Sequence, residues 1–226
     1  LWGGLIVLGN AVLNSVPGES AIEGIPTSEN RGLYGGSDDN DNSGKLHYVS
    51  IRHGGTDIGG GNEINGATFG GVGLGTSIHH IEIIANNDDG VEFFGGTASI
   101  KNLLSVNVGD DAIDYDEGWR GYIQYALVYT PGDRGGEHDG GTDPEDGIPY
   151  AKPHITNVTS IGKGVSTGKR AITFRDNAGG QYWNSLFTQW GKGMDIEDLG
   201  AGQEHSLKRL DVGDLKIMHN LFDMVV

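Results

Sequence analysis

Apolar and polar residues alternate along this chain in short bursts with a period of two, as in Leu46-His47-Tyr48-Val49-Ser50-Ile51 and Ile81-Glu82-Ile83. Each burst is closed by a cluster of Gly, Asn or Asp, which is the pattern of half-buried strands joined by turns. One segment then repeats itself 22 residues later: Ile78 matches Ile100, Asp88-Asp89 match Asp110-Asp111, and Phe93 matches Tyr115. Ala171-Ile172-Thr173-Phe174 and Gly193-Met194-Asp195-Ile196 show the same spacing of 22, and Gly66-Ala67-Thr68-Phe69 precedes Gly90-Val91-Glu92-Phe93 by 24. Fixed-period self-similarity marks a solenoid, in which each unit buries its apolar face by stacking on the next.

A rung of about 22 residues holds two or three short strands and tight turns, so strands pair between rungs. The predicted fold is all-β, a right-handed parallel β-helix. The strands of Ile81, Leu103 and Ala126 are expected in register on one sheet, those of Phe93 and Tyr115 on another, with Asp89 stacked against Asp111. One domain over residues 1–226 is expected, a segment of a longer chain, with loop insertions at about 14–42 and 130–152. Leu5-Ile6-Val7 and Met224-Val225-Val226 lack the polar face of a capping unit. Further rungs or neighbouring subunits are therefore expected to cover the solenoid ends.

Composition sharpens this reading. The 41 glycines lie irregularly beside hydrophobic runs, as turn residues of a many-turned fold do. Acidic residues outnumber basic ones 31 to 15, for a net charge of -16, which argues against nucleic-acid partners and points to cations. The apolar run Leu5-Ile6-Val7-Leu8 ends in Gly9-Asn10, so no membrane insertion is expected. The chain has no cysteine, which leaves the redox compartment open.

Five ordered motifs carry a family resemblance: Trp2-Gly3-Gly4-Leu5-Ile6, Tyr34-Gly35-Gly36-Ser37-Asp38-Asp39, Tyr48-Val49-Ser50-Ile51-Arg52-His53-Gly54-Gly55, Asp88-Asp89-Gly90-Val91-Glu92-Phe93-Phe94-Gly95-Gly96 and Asp133-Arg134-Gly135-Gly136-Glu137-His138-Asp139-Gly140. Together they resemble the secreted pectin-lyase-like β-helix proteins of Bacteroidetes and related bacteria, which often carry a type IX secretion sorting signal. The resemblance implies a β-helix and an extracellular or outer cell-surface location, and no activity.

The acidic pairs are the first candidate chemistry. Equivalent residues on adjacent rungs lie about 4.8 Å apart, so stacked carboxylates repel unless a cation or proton intervenes. Calcium suits them, being a hard ion that takes six to eight oxygens from carboxylates and carbonyls. The calcium reading takes Asp88, Asp89, Asp110, Asp111, Asp114 and Asp116, with Asp133, Glu137 and Asp139 from the acidic segment that follows. Asn86, Asn87 and Asn107 offer further oxygens. Against it stands a plain turn reading, in which these Asx residues bond their own backbone.

A catalytic reading also exists. Asn87-Asp88-Asp89 followed by Asp110-Asp111 is similar to the acidic motifs of polygalacturonase-type glycoside hydrolases, where a histidine and a basic cluster follow. Asp88, Asp89, Asp110, Asp111 and His138 would then be catalytic, with Lys169-Arg170 as the basic cluster. Inverting hydrolysis needs carboxyls roughly 6.5–9.5 Å apart. The assignment of His138 to a loop and the charge of -16 weigh against it.

Trp119, Tyr122, Tyr125, Tyr182, Trp183 and Trp190 are candidates for sugar stacking or for packing. His79 and His80 are expected to face opposite ways, one buried and one exposed, and not to share a metal. The leading expectation is a non-enzymatic, calcium-stabilised protein of the cell surface or extracellular matrix. It would act in adhesion, assembly or binding of a polysaccharide or cell-surface glycan, and a polysaccharide hydrolase or lyase is the alternative.

Overall fold

The computed structural model describes residues 2–59 and 62–225. Seven strands, Leu5–Leu8, Ala67–Gly70, Val91–Phe94, Ile113–Asp116, Gly136–Asp139, Arg170–Arg175 and Lys192–Ile196, pair in parallel in that order. A second parallel sheet runs through Lys45–Arg52, Ser77–Ile84, Ile100–Val106, Tyr122–Tyr129 and His154–Ile161, and then through Gly180–Trp183 and Leu215–Met218, with Leu186–Trp190 and Leu221–Val225 alongside. Consecutive rungs therefore hydrogen-bond across the repeat, and the chain is a parallel β-helix. Leu103 pairs with both Ile81 and Ala126, and Tyr115 pairs with Phe93, as the repeat implies.

Alternation fills the core in columns. Ile81, Leu103, Ala126 and Val158 form one buried column of the second sheet, and Ile78, Ile100, Ile123 and Ile155 another. From the first sheet, Phe69 and Phe93 stack at 5.2 Å, Phe93 lies 4.0 Å from the Trp119 ring, and Tyr115 stacks on His138 at 4.2 Å. Trp119, Tyr182 and Trp190 are core residues, whereas Tyr122 and Tyr125 are exposed.

The long strands of the second sheet are bent at one residue per rung. Tyr48, His80, Asn102, Tyr125 and Asn157 all have φ between 55° and 62°, and each drops out of the pairing register, which passes from His47↔His79 directly to Val49↔Ile81. A left-handed residue breaks the two-residue alternation at that point. His79 and His80 consequently both reach the surface, with Nδ1 atoms 2.9 Å apart, instead of facing opposite sides of the sheet.

The span 130–152 is not a continuous loop. Gly136–Asp139 is a rung strand, with Glu137 paired to Asp114 and Thr173, and His138 to Tyr115 and Phe174. Its inward positions are Gly136 and His138, so aliphatic alternation is absent although the strand is fully registered. Within 14–42, a short antiparallel pair forms between Ser20–Ala21 and Leu33–Tyr34, and the Tyr34 hydroxyl donates to buried Glu117 at 2.7 Å.

The aromatic column dictates one outcome. Phe93→Ala removes a ring held between Phe69 and Trp119, and it should cost about 3–5 kcal/mol. Chemical denaturation measures it, and a loss under about 1 kcal/mol would show that the column is not a main source of stability.

Candidate functional site

The turn after each long strand leads into the first sheet, and its sequence explains its shape. A Cβ at Gly109 would lie 2.0 Å from the Asn87 carbonyl, and one at Gly132 only 1.6 Å from that of Gly109. Glycine is required for these turns to stack, and Asp110-Asp111 and Asp133-Arg134 follow immediately, so tight stacking sets their spacing. The backbone N–H of Asp111 donates to Asp89 Oδ1 at 2.8 Å, and that of Arg134 to Asp111 Oδ1 at 2.5 Å. Asp89, Asp111 and Arg134 thus form one ladder.

The strand that follows adds another column. Val91 and Phe93 face the core, so Glu92 faces outward, in register with Asp114 and then Glu137. Asp88, Asp89 and Asp110 bring carboxylate oxygens within 4.8 Å of one another, as do Asp89, Glu92 and Asp114, and Asp110, Asp111 and Asp133. Asp88, Asp89, Glu92, Asp110, Asp111 and Asp114, with Glu23, Glu63, Asn65 and Glu137, line a cavity of about 120 Å³. Glu92, Glu23, Glu63 and Asn65 are absent from the sequence-based set. Glu92 could have been found from its match with Asp114 in the repeat, whereas Glu23 and Glu63 arrive from excursions with no periodic signal.

Basic residues neutralise only one side of this cleft. Arg134 Nη1 lies 3.0 Å from Asp111, 3.1 Å from Asp133 and 3.0 Å from Glu137. Lys169 pairs with Asp133 at 2.7 Å, and Arg175 grips Asp139 at 2.7 and 3.0 Å. Asp139 is therefore satisfied by arginine, and Asp116 accepts from the Thr142 hydroxyl. Among the described residues, Asp88, Asp89, Glu92, Asp110 and Asp114 have no ion pair with a basic side chain. Glu92 receives the Asn65 amide, while Asp114 Oδ1 is buried without a hydrogen-bond partner.

The electrostatic consequence is a set of carboxyls that resist ionisation. Burial, then Glu63 and Asp110, push Asp88 up to about 7. Burial, then Glu137 and Asp110, push Asp111 up to about 8 against the pull of Arg134. Asp89, Glu92 and Asp114 are raised well above their usual range, first by burial and then by one another and neighbouring carboxylates. Burial likewise carries Asp116 to about 7. At an effective dielectric of about 20, two full charges 4.8 Å apart repel by roughly 3.5 kcal/mol. Such a set must hold protons or a cation.

The arrangement answers the catalytic template in part. Arg134 and Lys169 lie beside the acidic columns, while Arg170 pairs with Asp195 at 3.0 Å. His138 does not join them. It points into the core, is 0% exposed, meets the Tyr182 hydroxyl at 2.8 Å, and is held down to about 3 by burial. The clustered carboxylates also lie closer together than the separation that admits an inverting water. All-oxygen donors at this spacing are of the kind a hard cation takes, and Asp114 Oδ1 stands beside them without a hydrogen-bond partner.

A family model described as a pectate-lyase like beta helix domain matches residues 1–225. No curated protein and no solved structure matches the chain.

The raised carboxyls fix a pH dependence. A carboxyl whose folded pKa exceeds its unfolded value binds more protons when folded, so its contribution to stability falls as pH rises toward the folded pKa. His138 acts in the opposite direction below about 6.5, which leaves pH 6.5–8 governed by the raised carboxyls of Asp88, Asp89, Glu92, Asp111, Asp114 and Asp116. Cation-free protein should melt several degrees lower at pH 8 than at pH 6.5. A melting temperature that is constant or rises across that window would contradict the burial of uncompensated carboxyls.

Proposed function

The chain belongs to the pectate-lyase-like β-helix domain family, and from that premise we propose that it is a non-enzymatic, exported β-helix protein stabilised by calcium. It acts at the cell surface or in the extracellular matrix through adhesion, assembly or glycan binding. The observation that carries the reading is the half-neutralised cleft: Asp88, Asp89, Glu92, Asp110 and Asp114 converge without a basic partner, next to columns that Arg134, Lys169 and Arg175 do neutralise. A divalent ion on the open side completes the charge pattern. The inward-facing His138 supports a structural rather than catalytic use of the acidic columns. Exposed Leu221, Phe222 and Met224 on the last strand support the expectation that further rungs or neighbouring subunits pack there.

A second reading, a polysaccharide hydrolase or lyase, is favoured by one observation: Arg134 and Lys169, just before strands of the first sheet, and Arg175 on it flank the acidic columns, where they could meet an acidic glycan. Calcium titration and a polysaccharide panel separate the two. Calcium at a hundredfold excess over its dissociation constant should add about 2.7 kcal/mol per site, or roughly 5–10 °C in melting temperature, and Asp89→Asn should weaken it. No glycan should yield reducing sugars or unsaturated products. Products released by the wild type and lost in Asp111→Asn would establish the second reading, and a melt indifferent to chelation would remove calcium.

A further inference from the structure

On the second sheet, away from the acidic cleft, three histidines and a tyrosine from two adjacent rungs form a separate cluster. His79 and His80 are neighbours in sequence, yet their Nδ1 atoms lie 2.9 Å apart because His80 has φ 55°. Each ring is backed by an aromatic ring of the preceding rung: His47 stacks on His79 at 3.7 Å, and Tyr48 on His80 at 4.5 Å. His47 is itself anchored through Nε2 to the Ser77 hydroxyl at 2.8 Å. The pair is therefore held by its surroundings.

The separation has chemical meaning. Two imidazole nitrogens bound at right angles about an ion, each roughly 2.05 Å from it, lie about 2.9 Å apart. Tetrahedral angles would spread them to about 3.3 Å. Right-angled coordination by nitrogen and oxygen is the preference of Cu(II) and Ni(II), and Cu(II) heads the affinity order. We infer that His79 and His80 form a two-histidine Cu(II) site on the bend of the second sheet, with the remaining positions filled by water.

Asn102 sets the tautomers. Its amide lies 3.2 Å from His80 Nε2, and with the ion absent a proton order that satisfies both contacts has the amide N–H donating to Nε2 and His80 Nδ1–H donating to His79 Nδ1. Turning the amide over presents Oδ1 to a proton on Nε2, which frees the Nδ1 lone pairs of both rings for the metal. Amide nitrogen and oxygen are interchangeable at this level of geometry. The proton moves from one nitrogen of His80 to the other, so none is released. A ligating histidine whose second nitrogen donates to a carbonyl is the usual arrangement at metal sites.

The test is titration of the chain with Cu(II), and separately Zn(II), in millimolar calcium so that a hard ion occupies the carboxylates. Pulsed electron paramagnetic resonance on the copper-loaded protein then counts the bound imidazoles. His79→Gln and His80→Asn are the variants, the second because Asn adopts the same left-handed backbone at 102 and 157. The wild type should bind one Cu(II) through two imidazoles, more tightly than Zn(II). Each variant should lose at least tenfold in affinity and one imidazole signal while keeping its melting temperature. A two-imidazole signal that persists in the double variant, a single imidazole in the wild type, or wild-type affinity no higher than that of the double variant would overturn the assignment.

Discussion

Stacking at a fixed rung spacing is the constraint from which this structure follows. Any side chain repeated at the same rung position meets its copy at about 4.8 Å, whatever its chemistry. For rings this is favourable, and Phe69, Phe93, Trp119, Tyr115 and His138 run as a buried aromatic series. For carboxylates it is not. Asp88 and Asp110, Asp89 and Asp111, and Glu92 and Asp114 are brought together by the same repeat that builds the core. Arg134, Lys169 and Arg175 relieve the repulsion on one side, and on the other burial and mutual repulsion raise every carboxyl.

How legible each part was in the sequence depends on whether alternation was expressed by aliphatic side chains. Ile78, Ile81, Ile100 and Leu103 announce their register because branched apolar residues recur at every inward position. The Asp pairs were visible for the same reason, since they repeat with the apolar positions. The strand Gly136–Asp139 was not, because glycine and histidine stand where aliphatic residues would; a neutral imidazole fills the aromatic series but reads as polar. Glu92 is legible only through its match with Asp114, because a single glutamate between Val91 and Phe93 reads as ordinary strand alternation. Glu23 and Glu63 reach the cleft through tertiary placement alone.

The bend of the second sheet illustrates a limit of period-two reasoning. A residue with positive φ shifts the phase of every side chain near it, and the sequence marks these positions with Asn at 102 and 157 but with Tyr and His at 48, 80 and 125. Asparagine tolerates that backbone readily, so a column of alternating Asn, His and Tyr at rung spacing is the available clue. The result is two clusters of different donor chemistry on one β-helix: an all-oxygen acidic cleft on the first sheet and a pair of imidazole nitrogens on the second. Hard and borderline ions prefer different donors, so the proposed calcium and copper occupancies can each be examined in the presence of the other ion.

The most direct test of a cation-completed cleft is a crystal structure of the protein grown in millimolar calcium, with anomalous scattering used to locate the ion. The expected result is a calcium peak among Asp88, Asp89, Glu92, Asp110 and Asp114, on the side away from Arg134, with oxygen ligands at about 2.3–2.6 Å. A cleft that contains only water, with its carboxyls paired through shared protons at saturating calcium, would contradict it.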